Sequence, residues 1–137
     1  MPSPTILHVT IASVSGNSAN VSYELKGAPA GVSVASGKGG LANKIVISQT
    51  VSGDVELRFL LQEARWKFVS AGDHKFGKGS PGGTDDSDAF RKRSLDGPKK
   101  VFACVHTVSP GNRWWHSFKV TDGSAILDVD PEIENED

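Results

Sequence analysis

The sequence offers a single cysteine, Cys104, so no disulfide can form within the chain and the stapled frameworks of small extracellular domains are excluded. Long apolar runs are missing too, since none approaches the ~20 residues of a membrane-spanning helix. Residues 1–15, MPSPTILHVTIASVS, have no basic n-region, and His8, Thr10 and Ser13 interrupt the stretch that a secretory signal would keep apolar. These absences point to a protein of the reducing cytoplasm without membrane attachment. Motifs for catalysis are equally scarce. There is no G-x-S-x-G elbow for a serine nucleophile. The glycine-rich stretch GVSVASGKGG fails as a phosphate-binding loop: five residues separate Gly31 from Gly37, and Gly39 stands where a hydroxyl for magnesium is needed. Four histidines, at 8, 74, 106 and 116, and one cysteine give no zinc-ligand spacing. No catalytic residue and no cofactor is therefore nominated.

What the sequence has in quantity is period-two alternation. At 137 residues, with 37% hydrophobic and 23% charged, it is an ordinary globular composition, long enough for one domain with its own core. Leu7, Val9 and Ile11 alternate with His8 and Thr10; Val21, Tyr23 and Leu25 alternate with Ser22, Glu24 and Lys26; Val55, Leu57, Phe59 and Leu61 alternate without a break. Further strands are expected over KIVISQTV, at Trp66–Phe68, and over VFACVHTV, RWWHSFKV and AILDV. Short strands punctuated by Gly, Pro, Asn and Ser favour an antiparallel sandwich over a parallel sheet with crossover helices. The expectation is an all-β, antiparallel, immunoglobulin-like β-sandwich of seven to eight strands with one short helix in the 70–98 connection, built from residues 1–131 and followed by an acidic tail at 132–137.

SPGN at 109–112 reads as a hairpin turn pairing Val108 with Arg113. That register puts Val101, Ala103 and Val105 on the core face with Trp114, His116, Phe118 and Val120, and it turns Phe102, Cys104 and His106 outward with Trp115. His116 then reads as a core histidine that needs a hydrogen-bond partner. Phe102, His106 and Trp115 become an apolar surface patch, a candidate face for a protein partner or for a homodimer.

The most polar stretch, GTDDSDAFRKRSLDGP at 83–98, places Asp85, Asp86 and Asp88 before Arg91, Lys92 and Arg93. As a calcium loop of the EF-hand kind it fails, because Phe90 and Arg91 occupy positions that need an oxygen ligand and a glycine. Asp85, Asp86 and Asp88 stand only as calcium candidates of the scattered-aspartate kind found in β-sandwich loops. The charge order suits a capped helix over 85–95, with acids in its first turn, bases in its last, and Gly97 and Pro98 as its stop.

Residues 58–119 carry twelve basic against six acidic groups, whereas residues 120–137 carry seven acids and no base. The bases are spread over several segments and only Arg113 adjoins the Trp114–Trp115 pair, which argues against nucleic acid. Trp66, Trp114 and Trp115 raise carbohydrate as a ligand, although adjacent Trp114 and Trp115 must point to opposite faces of a strand. The ending ILDVDPEIENED, through Asp130 and Pro131, resembles the C-termini of the DP-EP family of small bacterial β-sandwich proteins, a resemblance that covers the last dozen residues and implies a sandwich of unknown activity. Taken together, the residues predict a non-catalytic binding or assembly module. A small enzyme or a carbohydrate-binding domain using the 70–98 loop is the alternative.

Overall fold

The computed structural model describes residues 4–79 and 84–136. The alternating segments become twelve strands: β1 (Thr5–Ser15), β2 (Ser18–Gly27), β3 (Val32–Ala35), β4 (Lys44–Ile47), β5 (Asp54–Leu61), β6 (Lys67–Phe68), β7 (Lys75–Lys78), β8 (Phe90–Asp96), β9 (Val101–Thr107), β10 (Arg113–Thr121), β11 (Ile126–Val129) and β12 (Glu132–Asn135). Among the described residues the only helical turns are short 3-10 segments at Lys38–Gly40 and Ala71–Asp73. The fold is all-β, and its sheet is mixed. Its main path runs β3-β4-β12-β10-β11-β2-β1-β5-β9-β8, with β6 and β7 also paired to β10. β1 with β5, β2 with β11, and β4 with β12 are parallel pairs, so the sheet is not the wholly antiparallel one that the turn pattern suggests.

β10 joins the two halves of the molecule. Its residues 113–117 pair with β12 on one side and β7 on the other, while 118–121 pair with β11 and β6. The strand alternates throughout, so Trp114, His116, Phe118 and Val120 all reach the core, each at most 1% exposed. The core also takes Leu7 and Val9 from β1, Val55, Leu57 and Phe59 from β5, and Ile45 and Ile47 from β4.

Three expectations are corrected. The 109–112 turn does not close a hairpin: β9 pairs with β5 and β8, and β10 pairs with neither. β9 and β10 present their side chains to each other across the core, as in the edge-on contact of Phe90 and His106 with Trp114. The core face of β9 is therefore Phe102, Cys104 and His106, and Val101, Ala103 and Val105 lie half-buried on its outer face. A register error of one inverts every assignment on a strand.

Residues 85–95 are not a helix. Residues 90–96 form edge strand β8, which pairs with β9 through a bulge between Arg91 and Ser94, with Lys92 in the left-handed region at φ 54°. The bulge brings Arg93 inward. Its Nε donates to Phe90 O at 2.8 Å, Nη1 donates to His74 O at 3.1 Å and to Asp85 Oδ2 at 2.9 Å, and Nη2 donates to Asp86 O at 3.2 Å. A planar guanidinium can satisfy four acceptors at once; an ammonium cannot. Arg93→Ala should cost about 3 kcal/mol in urea unfolding, because it takes a hydrogen-bond donor from a partly buried carboxylate and from three carbonyls, and Arg93→Lys should recover less than half of that. Equal stability of all three proteins would refute this role.

Residues 132–135 are not part of a solvated tail. They form β12, inserted between β4 and β10, with Ile133 and Asn135 each 1% exposed. The acids Glu132 and Glu134 alternate with these inward residues, and Glu134 pairs with Arg113 at 3.1 Å and with Lys44 at 3.4 Å.

Candidate functional site

Of the residues that the sequence puts forward as a partner surface, Phe102 and His106 are fully buried and Trp115 is 8% exposed. The expected patch does not exist, because its first two members belong to the core face of β9. His106 stacks on Phe90 at 4.2 Å, and its two ring nitrogens lie 2.9 Å from Ala89 O and 3.1 Å from Asn135 Oδ1.

His74 and His116 are likewise fully buried. They act as flat rings in an aromatic array. His74 lies parallel to Phe102 at 3.5 Å and to Phe118 at 5.2 Å, and His116 stacks on Phe76 at 4.1 Å. Nδ1 of His74 faces Nε2 of His116 at 3.3 Å, so one ring donates and the other accepts, and the accepting ring must be neutral. Burial is the main cause that drives the imidazoles toward the neutral form: His116 is pushed down to about 3, His74 well below its ordinary value, and His106 below it too. Burial also pushes the Cys104 thiol up to about 12. A thiol held protonated is a poor nucleophile. These groups are core-packing elements, withdrawn from any substrate.

Two of the aspartates in the 83–98 stretch accept hydrogen bonds from the backbone. Asp85 Oδ1 accepts the Phe76 N–H at 2.7 Å while its Oδ2 holds Arg93, and Asp86 Oδ1 accepts the Ala89 N–H at 2.9 Å. Asp88 lies exposed beside them. Among the described residues no group of three or more His, Cys, Asp and Glu side chains could hold a metal ion.

A concavity lies on the outer face of the sheet around Trp115. It encloses about 440 Å³ and is lined by Ser36, Gly37, Gly79, Trp115, Asp130, Pro131 and Glu132. That volume falls within the range of small-molecule sites. Local sequence explains each wall. Trp115 stands opposite Gly77 in the β7–β10 pair, and a Cβ at residue 77 would fall on the indole atoms Cζ2, Cε2 and Nε1. The missing side chain is the space in which the indole lies. Gly37 is required in the same way, since a Cβ there would fall on Asn43 Oδ1. Pro131 ends β11 and, by accepting the His116 N–H at 3.0 Å, anchors the break before β12. Asp130 and Glu132 flank it, so the recess carries two carboxylates and the Ser36 hydroxyl against one aromatic edge. A smaller recess of about 250 Å³ continues past Gly79 and Glu132, where Lys44, Arg113 and Glu134 are already paired with one another.

Gly77→Ala should therefore displace Trp115, destabilise the protein by about 1–3 kcal/mol through overpacking, and change the indole fluorescence. An alanine variant with wild-type stability and spectrum would show that the glycine is incidental.

Sequence reasoning reached Trp115 for a different reason and missed Ser36, Gly37, Gly79 and Glu132. The available signals were a glycine inside the short strand KFGK and a proline directly between two strands, both of which mark close backbone approach or a break. The chain matches no protein-family model and no curated protein.

Proposed function

We propose that this chain is a non-catalytic binding module, built on an immunoglobulin-like sandwich and working in the cytoplasm, whose ligand seat is the recess at Trp115. The observation that carries the reading is the composition of that recess: an indole edge, two carboxylates and a hydroxyl converge on a concavity of about 440 Å³, while Cys104 and three of the four histidines are sealed in the core. The imidazoles of His74, His106 and His116 and the Cys104 thiol are thus separated from the place where a ligand would sit. The polar walls favour a hydroxyl-rich ligand such as a small carbohydrate. Asp130 and Glu132 accept O–H groups, Ser36 both donates and accepts, and the indole edge supplies apolar contact.

A large protein partner or a second copy of the chain is less well supported. Among the described residues only Val14 and Ile126 are large hydrophobic side chains exposed by more than half, and single exposed residues do not make a docking patch. Membership of the DP-EP family belongs to the same proposal, because Asp130 and Pro131, the residues of the resemblance, form one wall of the recess.

Titration calorimetry with a panel of mono- and disaccharides tests the reading. One member should bind saturably, and Asp130→Asn together with Glu132→Gln should weaken it about tenfold, which corresponds to two lost charge-assisted hydrogen bonds of modest net strength. Wild-type affinity in the double variant would dismiss the recess as the seat.

A further inference from the structure

Another concavity, at the far end of β10, has a different chemistry. It encloses about 360 Å³ and is lined by Lys67, Phe68, Val69, Pro98, Lys99 and Thr121. Its walls are fixed by backbone hydrogen bonds: the Phe68 N–H donates to Lys99 O at 2.9 Å, and the Val69 N–H donates to Lys119 O at 3.1 Å. Phe68 itself is sealed in the core, so Val69, Pro98 and the lysine stems form the apolar surface that a ligand would meet.

The charge here is one-sided. Lys67 and Lys99 are exposed at the groove, and neither has an ion-pair partner among the described residues. The neighbouring cations are occupied elsewhere. Arg65 reaches Asp122 at 3.8 Å, and the Lys100 ammonium donates to the carbonyls of Glu63 and Trp66. Lys100 is held below the usual ammonium value first by burial and then by the charge of Lys67, with Glu63 opposing. In a chain of net charge −1, this is a local positive excess around an apolar groove, because Arg65, Lys67, Lys99 and Lys100 outnumber Glu63 and Asp122, and an excess of like charge favours an anion.

We propose that this groove binds a small amphipathic anion, a carboxylate on an apolar body, with the carboxylate between the ammonium groups of Lys67 and Lys99 and the apolar part against Val69 and Pro98. The site is separate from the recess at Trp115, and neither depends on the other.

The test is an amide NMR titration of the full chain with octanoate, with 1-octanol as the neutral probe and phosphatidylglycerol vesicles as the membrane source of anions. Octanoate should shift Val69, Lys99 and Thr121 saturably, while octanol binds about tenfold more weakly and the Lys67→Gln/Lys99→Gln double variant loses about tenfold in affinity, as removal of a partly shielded charge pair requires. Both lysines are exposed, so the variant should melt like the wild type, and Lys67→Arg should retain binding. Undiminished octanoate binding by the double variant would overturn the proposal. So would equal affinity for octanol, no shift up to roughly 10 mM octanoate, the weak end of specific binding, or binding to vesicles alone.

Discussion

A chain ending at Pro131 should show no cooperative unfolding transition and an amide spectrum without the dispersion of a folded β protein. Residues 132–137 contain β12, which pairs with β10 on one side and with β4 on the other. Its removal separates the β3–β4 hairpin from the rest of the sheet and uncovers half of β10. It also removes Ile133, and losing a buried aliphatic side chain of that size typically costs about 2–5 kcal/mol. Asn135 goes with it, and Asn135 Oδ1 accepts the Ser109 N–H at 2.7 Å and lies 3.1 Å from His106 Nε2. The sum exceeds the margin of a typical domain, about 5–15 kcal/mol, once the lost backbone pairs on both sides are included. A truncated chain that still melts cooperatively near the wild-type temperature would show that β12 is dispensable.

The second large effect is loss of stability in acid. Unfolded histidines protonate near their ordinary value of about 6.5, whereas His116 in the fold stays neutral down to about 3. Between those limits the unfolded chain binds the extra proton, so stability is complete above about pH 6.5 and falls as the pH is lowered. At about 1.4 kcal/mol per unit, His116 alone contributes a loss of about 5 kcal/mol by pH 3 and about 2 kcal/mol by pH 5. His74 and His106 shift in the same direction for the same reason, burial. Asp54, whose carboxyl is held down first by hydrogen bonding to Arg91, adds a further loss only below the ordinary carboxyl value of 3.8. Urea unfolding at pH 7.5 and pH 5 should give midpoints that differ clearly, and His116→Phe should reduce the difference while keeping a ring against Phe76. A midpoint unchanged over that interval would mean that the imidazoles are not buried and neutral.

Strand content was legible wherever one face is buried and the other wet. Val55, Leu57, Phe59 and Leu61 alternate in the sequence and all point inward in β5. The alternation of β10 was read with the right faces for Trp114, His116, Phe118 and Val120. β9 was not, because Val101, Ala103 and Val105 are as apolar as Phe102 and Cys104, and only the pairing of the strand decides which set faces in. Polar residues misled in two places. The acids of β12 hid a strand whose inward members are just Ile133 and Asn135. The ordered charges of 85–95 matched a helix dipole, yet Asp85 and Asp86 bond to amides of Phe76 and Ala89, and Arg93 uses a bulge to reach four acceptors. Charge order constrains which groups meet, and tertiary contacts decide whether they meet along a helix or across a turn.

The recess was harder to anticipate because its walls come from four separate segments, at residues 36–37, 79, 115 and 130–132. No spacing along the chain brings these together. The pairing of β10 with both β7 and β12, and of β12 with β4 and β4 with β3, does.

The most direct test of the recess as a ligand seat is the indole N–H resonance of Trp115 during titration with the carbohydrate panel. Trp66, Trp114 and Trp115 each give one such signal, and the first two are 3% and 1% exposed in the core. A ligand in the recess should move the Trp115 signal and the amides of Gly37 and Gly79 along one saturable curve, leaving Trp66 and Trp114 in place. Titration of the whole panel with an unmoved Trp115 signal, or with shifts confined to residues outside the recess, would contradict the account.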